Sequence, residues 1–150
     1  MQQVTLLAYQ VNDILSRYIA VHDAIFKFSI RKLLPIPGLF KAIDYGSHYH
    51  ELCNLHSELT ETLATIAELR ASGLASFSTG PFLDVLAEYA FALSDAIGKL
   101  RDICDNLYRK SQGATDYSMS AYKRDVAAYD ISVQRYIALG GRLNSLFAQL

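Results

Sequence analysis

The chain has 150 residues, of which 51% are hydrophobic and 19% charged, with a formal net charge of -1. A chain of this length buries roughly two-thirds of its unfolded surface in one core and needs neither disulfide nor metal to fold; its charge balance excludes the basic excess of an electrostatic nucleic-acid binder. Hydrophobic content lies slightly above the ordinary range for a globular domain and charged content below it, so apolar surface beyond a normal core has to be placed somewhere.

Apolar residues recur at alternating steps of three and four in four successive segments, the spacing of helices that pack at shallow angles. The first, over about residues 3–33, carries Val4, Leu7, Val11, Ile14, Tyr18, Val21, Ile25 and Phe28. Pro35, Pro37 and Gly38 end it, because proline lacks a backbone donor and restricts the residue before it. The second, about 46–72, follows Tyr45 with His48, Leu52, Leu55, Leu59, Thr62, Ile66 and Leu69, and Ser72-Gly73 closes it. Thr79-Gly80-Pro81 opens the third, about 81–111, with Leu86, Tyr89, Leu93, Ala96, Leu100, Ile103 and Leu107 on its seam. Gly113 ends that helix, and Thr115 or Asp116 is expected to cap the fourth, about 116–149, whose seam runs from Met119 to Leu150.

Connections of this length predict an all-α, antiparallel up-down-up-down four-helix bundle, a single domain over 1–150. Charge agrees: residues 1–41 carry five basic and two acidic side chains, and residues 44–73 five acidic and one basic. The stretches without charge, 1–12 and 71–83, are too short or too polar to span a bilayer, and the N-terminus lacks the basic region of a signal peptide. Cys53 and Cys104 have no CxxC spacing and fit reduced thiols, so a cytoplasmic location is expected.

The densest set of ligand-type residues is His48, His50, Glu51, Cys53 and His56. Antiparallel packing places His22 and Cys104 at about the same height, which makes His22, His48, Cys53 and Cys104 the candidates for a transition metal. Helical spacing works against them, since His50 and Cys53 point outward when Leu52, Leu55 and Leu59 point inward. The expectation is a core His48 hydrogen-bonded to a tyrosine such as Tyr122, with no metal and no cofactor. Glu58, Glu61, Asp84, Glu88, Asp95, Asp102 and Asp105 avoid the seams and read as a solvated face. Paired carboxylates, nucleophile elbows and phosphate loops are missing from the pattern, so an enzyme is not indicated.

Two other features remain. Tyr122, Tyr129 and Tyr136 repeat every seventh residue on the fourth helix, and with His48 they form the candidate wall of a ligand site; Gly140 on the same seam permits either a close helix approach or a gap. On the first helix, Leu15, Ile19, Phe26, Ile30 and Leu33 form a second apolar stripe that one bundle core is not expected to bury, and Phe91 and Ile131 fall on outward positions. The leading expectation is a non-catalytic interaction module that meets a protein partner or its own copy through Ile19, Phe26, Ile30, Leu33 and Phe40. A small-molecule or metal-binding bundle is the alternative. Contact with a membrane surface comes last, through the apolar loop 33–40 bordered by Lys27, Arg31, Lys32 and Lys41.

Overall fold

A computed structural model describes residues 2–31, 43–73 and 79–150, with the side chains of 27–31 left out of account. Four helices follow one another: α1 (Gln2–Arg31), α2 (Tyr45–Ala71), α3 (Gly80–Ser111) and α4 (Met119–Phe147). Their ends have local causes. The Asp44 carboxylate accepts a hydrogen bond from the Ser47 amide and so caps α2. Gly73 beyond α2 and Gly113 beyond α3 take φ values of 69° and 100°, the left-handed region that glycine enters without a Cβ penalty. Pro81 sits in the first turn of α3.

The cap of α4 is Ser118, whose hydroxyl accepts from the Ala121 amide at 3.0 Å, rather than Thr115 or Asp116. Tyr117 is the reason the helix begins late. Its ring is buried and its hydroxyl donates to Asp125 at 2.9 Å, which holds the chain before Met119 out of helical geometry. The first helix is described to Arg31, so the expected end at Pro35 and the loop 33–40 lie outside the described residues.

Cross-helix pairs establish the up-down-up-down order. Arg17 reaches from α1 to Glu51 and Glu58 on α2, Arg70 on α2 meets Asp84 at the start of α3, and Tyr9 on α1 meets Phe147 at the end of α4. The core runs through all four helices, with Leu7, Val11, Ile14, Leu52, Leu55, Leu59, Leu86, Leu93 and Leu100 buried. Backbone approach is uneven, however. α3 packs closely against both α2 and α4, and α1 approaches α2 and α3, but among the described residues no Cα of α1 comes within 8 Å of a Cα of α4. Large rings fill that last seam, and this decides how α1 is used.

Because α4 stands off, α1 packs a wider arc of its surface than a narrow seam would. Leu15 and Phe26, from the second apolar stripe, pack against the core beside Ala8. One bundle therefore absorbs part of a stripe that a regular, narrow core would have left outside. Among the described residues, no helix is long and apolar enough to cross a membrane.

Candidate functional site: the cleft between α1 and α4

Where α1 and α4 stand apart, a cleft of about 390 Å³ opens between them, with α3 as its floor. α1 contributes Ala8, Tyr9, Val11, Asn12 and Leu15, α3 contributes Phe82, Leu86 and Tyr89, and α4 contributes Gly140, Leu143, Asn144 and Phe147. None of these side chains is charged. Gly140 opens the space: a Cβ built on it would find only Cε2 of Tyr89 nearby, at 3.9 Å. Of the two roles glycine can play on a seam, it leaves a gap here. Phe147 closes one end, edge-on to Tyr9 at 6.2 Å between ring centroids and tilted against Phe82 at 5.8 Å.

Toward the other end of the seam, rings and hydroxyls replace aliphatic packing. The Tyr89 ring meets Tyr136 edge-on at 5.9 Å, and Tyr136 meets Tyr18 at 6.1 Å. The Tyr18 hydroxyl hydrogen-bonds that of Tyr129, which also lies 2.7 Å from Nδ1 of His22. Phe26 stacks on Tyr129 with ring centroids 5.8 Å apart. Burial pushes the Tyr18 and Tyr129 phenols far above the usual tyrosine range and lifts Tyr89 to about 12, so all three remain protonated donors. The same desolvation lowers the His22 pKa, outweighing the opposite pull of Asp23 and Asp130, and favours a neutral ring.

The candidate ligands named from sequence scatter. Glu51 is drawn to Arg17 on α1, His56 faces α3, where a Cβ built on Gly98 would lie 3.7 Å from its ring, and His50 is exposed. Burial lifts the Cys104 thiol to about 12, which disfavours the thiolate a metal requires. Among the described residues, no three His, Cys, Asp or Glu side chains gather as a metal group would, and His22, His48, Cys53 and Cys104 are no exception. The expected bond between a histidine and a tyrosine exists with different members. It joins His22 to Tyr129, whereas His48 stays half-buried near the start of α2 and Tyr122 packs edge-on against Tyr117.

Of the interface candidates, Ile19 is 42% exposed and Phe26 is half-buried against His22 and Tyr129. The side chain of Ile30, together with Leu33 and Phe40, lies outside the described residues. Phe91 and Ile131 are exposed, as their outward positions imply.

One polar group escaped sequence reasoning. Ser132 on α4 is buried, and its hydroxyl donates to Asp95 on α3 at 2.6 Å, while Lys99 donates to both, at 2.6 Å to Ser132 and 3.0 Å to Asp95. A serine beside a lysine and an aspartate has the residue types of a nucleophile with its base. Here the serine proton is already committed to the carboxylate and the lysine is a donor, so the trio joins α3 to α4. No family model, curated protein or solved structure matches the chain.

Proposed function

We propose that the protein is a non-catalytic helical bundle that binds a small molecule in the cleft between α1 and α4. The observation that carries this reading is the gap at Gly140 over the Tyr89 ring, inside an uncharged, mostly apolar cleft. Its volume falls within the range of about 300–1,000 Å³ typical of small-molecule sites. Catalysis is not proposed, because the lining offers no acid, base or nucleophile beyond phenols and amides. Gly140→Leu tests the reading by filling the gap. Binding of a neutral apolar dye such as Nile red should weaken at least tenfold in the variant while helicity is retained. Equal dye binding by wild type and a folded variant overturns it.

Self-association is the second reading, and one placement favours it. Ile19 and Ile137 each follow a member of the Tyr18–Tyr136 ring contact, so they stand at one level on α1 and α4, 42% and 54% exposed. Light scattering across a concentration series tests this pair. A concentration-dependent dimer that Ile137→Glu abolishes supports it, and a monomer throughout removes it.

A further inference from the structure

We infer that the ligand of this cleft is an uncharged molecule bearing a hydrogen-bond acceptor, and that the Tyr89 hydroxyl is the donor that holds it. The inference rests on the small-molecule reading above and adds the chemistry of what is bound.

Tyr89 is 6% exposed, yet its hydroxyl has no hydrogen-bond partner among the described residues, in contrast to Tyr18 and Tyr129, which bond each other. Among those residues, no sealed side-chain nitrogen or oxygen lacks a partner. The Tyr89 hydroxyl is therefore not sealed in protein, and the residue lines the cleft with its ring edge toward the Gly140 gap, where Cε2, one carbon from the hydroxyl-bearing Cζ, lies 3.9 Å from a Cβ built on the glycine. A phenol that loses water without gaining a partner costs free energy. A molecule that expels water from the cleft is thus favoured if it brings an acceptor, such as a carbonyl or ether oxygen, to this donor. With its pKa lifted to about 12, the phenol keeps its proton at neutral pH and can donate it.

The charge of the ligand follows from what the walls lack. Leu86, Leu143 and Phe82 surround the site with hydrocarbon, and the polar side chains besides the tyrosines are the exposed Asn12 and Asn144. An ammonium or carboxylate taken into this cleft would find no counter-charge on the lining, and burying an unpaired ion is far more costly than burying a neutral dipole.

The test compares probes of one chain length by displacement of Nile red at neutral pH: 2-octanone, octanoate and octylammonium, with toluene as a probe lacking a hydrogen-bonding oxygen. The expected result is that 2-octanone binds at least tenfold more tightly than either ion. Tyr89→Phe keeps the ring on Tyr136 and should weaken 2-octanone roughly threefold to tenfold, the loss of one neutral hydrogen bond, while leaving toluene unchanged. Ions that bind as well as the ketone overturn the assignment of charge, and this arm uses only the wild-type protein. Equal effects of Tyr89→Phe on ketone and toluene overturn the role of the hydroxyl. If neither Nile red, ketone nor toluene binds the folded wild type, the small-molecule reading itself falls.

Discussion

Nδ1 of His22 on α1 lies 2.7 Å from the hydroxyl of Tyr129 on α4, and that hydroxyl also bonds Tyr18. These bonds cross the seam between the first and last helices, where among the described residues the two backbones keep apart, so side chains must span a distance that backbones close elsewhere. Tyrosine suits this position because it combines a large apolar ring with a terminal polar group that can be paired across the gap.

The two tyrosines of this network are not equivalent. Tyr129→Phe removes the oxygen that serves both Tyr18 and His22, leaving the buried Tyr18 hydroxyl and the half-buried His22 ring without it, and should cost about 1–3 kcal/mol. Tyr18→Phe leaves the bond between Tyr129 and His22 intact and should cost about 1 kcal/mol. Urea denaturation of the two variants checks the order; equal losses would mean that Tyr129 does not act as the shared centre.

Stability should depend on pH in two separate windows. Burial lowers the pKa of His22, and burial together with Arg101 lowers that of His56. The unfolded chain therefore takes up protons first, near the ordinary histidine value of about 6.5. The stabilisation is complete above that value and is lost as pH falls through the lower folded values. Once His22 is protonated both ring nitrogens are donors, so the Tyr129 hydroxyl must accept from Nδ1. Asp95, held down by Ser132 and Lys99, and Glu58, held down by Arg17, act in a more acidic window. Their contribution is present above the ordinary carboxylate range of about 4 and is lost as pH falls below it. Thermal unfolding from pH 8 to 3 should show both declines, and His22→Gln should reduce the first, leaving the share of His56, without altering the second. An unchanged slope near pH 6 in that variant would exclude His22 as a contributor.

Arg17 should matter less than its contacts suggest. It donates to Glu58 at 2.7 and 2.9 Å and to Glu51 at 3.1 Å, but its side chain is 36% exposed. Solvent screens such pairs, so Arg17→Met should cost no more than about 1 kcal/mol. The difference from wild type should shrink at about 1 M salt, where the screening length is about 3 Å. A larger, salt-independent loss would point instead to packing of the arginine stem.

Much of this architecture was legible in the chain itself. Four runs with apolar steps of three and four residues, punctuated by Gly73, Pro81 and Gly113, are enough for four helices, and the number of residues between the runs predicts antiparallel neighbours. Seam residues such as Leu52, Leu55, Leu93 and Leu100 are buried as their spacing implies. Three site features were not legible. The histidine on the seam of α2 attracted attention, whereas the one that bonds a tyrosine, His22, stands beside the seam of α1 and is brought inward by the width of the α1–α4 space. Asp95 looks like one more solvated acid until Ser132, 37 positions away, is placed beside it. Gly140 is compatible with contact or with a gap.

Local periodicity alone determined which residues form helices and which face of each turns inward, because both depend on spacing within a single helix. The distance between α1 and α4 depends on how Tyr18, Tyr89, Tyr129 and Tyr136 fit among one another, and ring volumes from three helices meet only in the folded bundle. Tertiary structure therefore decided that the last seam would be wide, that part of a second apolar stripe would be absorbed, and that the glycine on α4 would leave a cleft.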